Sequence, residues 1–103
     1  MIGISPSEIN ILNDIFAKLA SECDVLVFGS RHKNIHREGS DLDLAVKTSN
    51  KIPLGFDRLI QIKEALEESD LPYAVDVLDY YALPINFQEI IDRGHYKLPK
   101  KSH

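Results

Sequence analysis

Three aspartates stand where strands are expected, and a Gly-Ser pair precedes them: Gly29-Ser30, then Asp41-Leu42-Asp43, then Asp76 within Val75-Asp76-Val77-Leu78. Aspartate is depleted from strand interiors, so two on one strand face and a third in another strand need a reason beyond folding. Two unit charges about 4 Å apart interact by about 4 kcal/mol at an effective dielectric near 20, and three carboxylates repel more. Divalent cations remove that conflict. Residues two apart on a strand lie about 6.6 Å apart along one face, so Asp41 and Asp43 can share two ions roughly 3.5 to 4 Å apart. Ligands that are all oxygen favour Mg²⁺, with Mn²⁺ as the alternative.

The Gly-Ser pair suits the other half of such chemistry. Backbone N–H groups at a turn that opens a helix can face phosphate oxygens, the missing side chain of Gly29 permits close approach, and the Ser30 hydroxyl adds a hydrogen bond. Arg31, Lys33 and Arg37 follow closely, in the segment nearest such phosphates, and one of them can pair with their charge. The phosphate-binding candidates are Gly29, Ser30, Arg31 and Ser40; the catalytic and metal candidates are Asp41, Asp43 and Asp76.

Other readings of these residues are weaker. Asp79 competes with Asp76, but alternation places it on the opposite strand face near the strand end, where a solvated carboxylate is expected. An EF-hand needs further oxygen ligands and a glycine where Leu44-Ala45-Val46 stand. His32 and His36 share a helical spacing but have no third zinc ligand nearby. Ser30 lacks the flanking glycines of a nucleophile elbow.

The surrounding elements follow from pattern. Ser5-Pro6-Ser7-Glu8 offers a capping serine, a proline at the first helical position and a glutamate that completes a capping box. Behind it Ile9, Leu12, Phe16 and Leu19 recur at helical spacing through about Ala20. Asp24–Phe28 is a β-branched run that reads as a strand buried on both faces and delivers Gly29 to a turn. Arg31 to Gly39 is polar and has room for one short helix. Ser40–Val46 alternates, acids on one face and Leu42, Leu44 and Val46 on the other.

After a loop over Lys47–Pro53, the residues Phe56, Leu59, Ile62 and Leu66 mark a second amphipathic helix that ends near Glu68, because Asp70-Leu71-Pro72 follows. A strand over Tyr73–Leu78 puts Ala74, Asp76 and Leu78 on one face. Pro84 opens a last helix, and Gly94 is suited to end it in a left-handed cap. The order predicts an α/β (α+β) domain, a small mixed sheet packed with helices in two or three layers, with a right-handed parallel crossover between the second and third strands. Residues 1–97 are expected to form one domain and 98–103 a flexible tail.

Composition narrows the classes. The chain has 103 residues, 44% of them hydrophobic, and a formal net charge of -4. That balance lacks the basic footprint of a nucleic-acid binder, so nucleic acid is disfavoured as a direct acceptor. No apolar run approaches the roughly 18 residues of a membrane span, and no signal peptide is recognisable, so a soluble, cytoplasmic protein is expected. Cys23 has no partner for an internal disulfide and reads as a small, partly buried hydrophobe.

The segment GSRHKNIHREGSDLDLAV, Gly29 to Val46, resembles the signature of the nucleotidyltransferase superfamily typified by the palm of DNA polymerase β. The resemblance is closest to the minimal nucleotidyltransferases, and extends through DVLVFGSR, SDLDLAV, VDVLD and EIIDRGHYKL, most of the chain. It implies that Asp41 and Asp43 bind two Mg²⁺ ions, that Asp76 completes the site, and that Gly29 and Ser30 hold the triphosphate of ATP or another NTP. Asn34 departs from the pattern where glycine is usual, though asparagine tolerates the same left-handed backbone.

What the resemblance implies about function is transfer of an NMP, AMP from ATP by preference, to a hydroxyl of a partner protein. So small a domain leaves little chain to enclose an acceptor, which a protein partner can position for itself. Minimal nucleotidyltransferases commonly accompany a HEPN-domain protein as antitoxin and toxin, so a HEPN-domain partner is implied, in a homo- or hetero-oligomer. A binding module that neutralises its partner by complex formation, and nucleotidylation of a small molecule, are the competing readings.

Overall fold

The computed structural model describes residues 3–29 and 41–100. Helix α1 spans Pro6–Leu19 and begins as its sequence dictates: Glu8 N–H donates to Ser5 Oγ at 3.2 Å, and Ser5 N–H donates to Glu8 Oε1 at 3.1 Å. The first-turn donors that a helix leaves unpaired are thereby met on both sides of the cap. The same Glu8 Oε1 accepts the Tyr73 hydroxyl at 3.0 Å, which ties the start of α1 to the segment leading into the third strand.

Strand β1 is Asp24–Phe28, β2 is Leu42–Lys47, helix α2 is Phe56–Glu67 and β3 is Val75–Asp79. A 3₁₀ turn over Tyr80–Ala82, helix α3 over Ile85–Arg93 and a two-residue strand β4, Tyr96–Lys97, complete the chain. The four strands lie in the order β3-β2-β1-β4. β1 is antiparallel to both of its neighbours, whereas β2 and β3 run parallel, joined by α2 as expected of a helical crossover.

Helices cover both faces of the sheet. On one face Leu12 and Phe16 from α1 and Ile62 and Leu66 from α2 pack on Val25, Val27, Leu42, Leu44, Val46 and Val77. On the other, Ile91 of α3 and Tyr80 meet Leu26 and Ala45, with Phe28, Leu83 and Phe87 at the margin. β1 is thus buried on both faces, as its unbroken apolar run predicts. Cys23 is 2% exposed, and burial pushes its thiol up to about 11, so it serves as a packing residue.

Several boundaries differ from expectation. β3 starts at Val75 and includes Asp79. Pro84 is the residue before α3, with φ -57 and ψ 149, because its ring suits the extended entry to the helix. Gly94 is not left-handed: its φ is -158, and the chain passes through His95 into β4. Leu98, placed in the tail by sequence, is 4% exposed and donates its N–H to Val25 O at 2.9 Å, continuing the β4 edge. Lys100 lies 3.6 Å from Asp24 in an exposed ion pair. No described helix is long and apolar enough to cross a membrane.

Candidate active site

Parallel pairing of β2 with β3 sets Asp43 directly opposite Asp76, and the antiparallel pairing of β1 sets Phe28 opposite Asp43. Because side chains alternate, Asp43 shares its face with Ala45, while Leu42, Leu44 and Val46 fill the core behind it. Asp41 directly precedes β2, where Leu42 N–H donates to Ala74 O at 2.9 Å and extends the ladder beyond the strand itself. Asp43 is half-buried; Asp41 and Asp76 are exposed. The sequence-predicted acids therefore come from two adjacent strands to one end of one sheet face.

Their charges act on one another. The Asp43 carboxyl is raised above its ordinary range first by burial, then by the charge of Asp76, then by that of Asp41. Gly29 follows β1 with φ +73, and a Cβ built there would lie 2.5 Å from Asp43 Oδ2. A side chain at this position would meet both a strained backbone and the carboxylate. The turn after β1 consequently runs against the acid near the start of β2.

Asp79 behaves differently from the expected solvated carboxylate. It is 8% exposed, and its oxygens accept Leu54 N–H at 2.9 Å and Gly55 N–H at 3.1 Å. Gly55 has φ +100 and no capping side chain, so Asp79 reaches across from β3 to supply acceptors where α2 begins. Asp76 and Asp79 thus lie on opposite faces of β3, as alternation requires.

Ser30, Arg31 and Ser40 lie outside the described residues, as do His32, Lys33, Asn34, His36 and Arg37. Among the described residues, no three His, Cys, Asp or Glu side chains are already drawn round one point as a metal cage. The donor set nevertheless fits a hard dication: the clustered acids offer only carboxylate oxygens, and Asp43 carries an electrostatic burden from both of its acidic neighbours that a dication would relieve.

The fold, with two acids paired across parallel strands and a glycine turn packed on one of them, is that of a nucleotidyltransferase. Residues 10–101 match the family described as "Polymerase beta, Nucleotidyltransferase", and the chain belongs to it. It is similar, at 37% identity over 100 residues, to the "Probable protein adenylyltransferase MntA" of Haemophilus influenzae, with 97% of this chain and 86% of that protein covered. These matches place it among the minimal nucleotidyltransferases. A solved structure described as "Crystal structure of the toxin-antitoxin with AMP-PNP" shares the fold, with a TM-score of 0.74 and 18% identity over 90% of this chain and 73% of that one.

Proposed function

We propose that this chain transfers AMP from ATP to a hydroxyl of a partner protein, as the antitoxin that modifies a HEPN-domain toxin. The observation that carries the reading is the Asp43–Asp76 register with Gly29 packed on Asp43. The similarity to a probable protein adenylyltransferase supports the protein acceptor, and a structure of like fold described as a toxin-antitoxin with AMP-PNP supports a partner protein and an adenine nucleotide.

In this reading Asp41, Asp43 and Asp76 hold two Mg²⁺ ions, with Mn²⁺ able to substitute. When bound, such ions neutralise the triphosphate and lower the barrier to hydroxyl attack. Gly29, Ser30, Arg31 and Ser40 bind the nucleotide, the glycine admitting the phosphates close to the backbone. Asp76 is exposed on the edge strand, and in this reading it serves the acceptor side of the site and takes up the proton of the attacking hydroxyl. The hydroxyl oxygen bonds to the α-phosphorus, the bond to the bridging oxygen breaks in line, and pyrophosphate leaves.

The test is to incubate the chain with Mg²⁺, labelled ATP and a HEPN-domain protein encoded beside it, and to weigh the products. A gain of one AMP on the partner is expected. Complex formation with no transfer from any NTP would instead make the chain a binding module.

A further inference from the structure

We infer that His95 binds the terminal phosphates of the nucleotide, from the side of the Gly29 turn opposite the acids. The inference rests on the nucleotidyl-transfer reading and adds a residue to it.

The placement comes from strand register. β1 and β4 pair Leu26 with Lys97 and Val27 with Tyr96. One step further along this antiparallel ladder brings His95 beside Phe28, which is the partner of Asp43, itself the partner of Asp76. A single row therefore crosses the sheet: Asp76, Asp43, Phe28, His95. Val27 and Tyr96 both pack in the core with α1 and α2, so by alternation Phe28 and His95 belong to the face that carries the acids. With strands about 4.8 Å apart, His95 stands about 10 Å from Asp43 at the level of the backbone, across the strand end that delivers Gly29. A triphosphate whose α-phosphate lies at the acids and whose tail runs over Gly29 extends toward it.

The ring is already oriented. His95 Nδ1 lies 2.9 Å from Ile91 O in the last turn of α3. A carbonyl can only accept, so Nδ1 carries the hydrogen, and the half-buried imidazole is held by one nitrogen. Among the described residues no hydrogen bond engages Nε2. In the doubly protonated ring Nε2 donates to a phosphate oxygen while Nδ1 stays on Ile91, a charge-assisted contact. Arg93, a basic residue two positions before His95, is 76% exposed at its side chain and lies 3.8 Å from Glu89.

The two ring nitrogens can be separated by substitution. Asparagine places an amide nitrogen near the Nδ1 position and nothing at Nε2; glutamine reaches the Nε2 position. Binding of ATP and of AMP to the full chain in Mg²⁺ should be measured by calorimetry for wild type, His95→Asn and His95→Gln, alongside Tm. The expected result for His95→Asn is an unchanged Tm, ATP affinity lower by about tenfold, the scale of one charge-assisted bond, and AMP affinity nearly unchanged, with partial recovery of ATP binding in His95→Gln. Three results would overturn the contact: ATP affinity equal to wild type, equal losses for ATP and AMP, or affinity lost only in step with Tm. Failure of the wild type to bind ATP at all would instead bring down the nucleotidyl-transfer reading, and this contact with it.

Discussion

Gly29 and Asp43 compete for the same volume: at φ +73, a methyl group on Gly29 would sit 2.5 Å from Asp43 Oδ2. Gly29→Ala is therefore expected to cost about 1–2 kcal/mol from the left-handed backbone alone, and more from displacement of the carboxylate. Transfer activity should drop well beyond the loss of folded protein. In an Asp43→Ala background the clash is gone, so the stability cost of Gly29→Ala should shrink to the backbone part. Equal costs in both backgrounds, read in a double-mutant cycle by urea denaturation, would show that the two residues do not meet.

The raised Asp43 carboxyl makes a signed prediction about pH. Its ordinary value is 3.8, and burial with the charges of Asp76 and Asp41 lifts it in the folded chain. Between those two values the folded state holds a proton that the unfolded state has released, so stability falls as pH rises through the window. Below 3.8 both states are protonated and the penalty is absent; above the raised value it is present in full. Asp43→Asn should remove this decline in chelator and abolish transfer. Denaturation curves across mildly acidic pH with parallel slopes for wild type and variant would contradict it.

Asp76 and Asp79 should separate chemistry from folding. Asp76→Asn is expected to abolish transfer with little change in Tm, since the side chain is exposed and faces other acids. Asp79→Ala strands the Leu54 and Gly55 N–H groups and should cost about 1–3 kcal/mol for each that water cannot reach, with transfer per folded molecule retained. Reversed phenotypes would exchange their roles.

Ser5→Ala tests the helix start without touching the site. Losing the acceptor for Glu8 N–H should lower stability by about 1 kcal/mol and leave transfer per folded molecule unchanged. A fall in activity at constant folded fraction would mean that α1 positions the acids more directly than its packing indicates.

The residues whose meaning is local were legible in the sequence. Ser5 to Glu8 announces α1 through a cap that needs only four residues, and Leu42, Leu44 and Val46 alternating with Asp41 and Asp43 announce both a strand and its acidic face. The parallel pairing that joins Asp43 to Asp76 was readable from the helix between their strands. What depended on distant partners was not legible. β4 has two residues and no periodicity of its own; it exists because β1 offers an edge. Gly94 is extended because the chain leaves α3 there and enters that strand one residue later, after His95. The role of Asp79 lies in backbone N–H groups 24 and 25 residues away, which no local pattern can announce.

The bond from Asp79 to the start of α2 also bears on alignment. A slip of one residue in β3 would turn every side chain to the other face, burying Asp76 and ejecting Asp79. With both Asp79 oxygens seated on Leu54 and Gly55, that slip would forfeit two bonds at once, one of them buried. The edge strand carries its own alignment pin three residues beyond the acid it keeps in line.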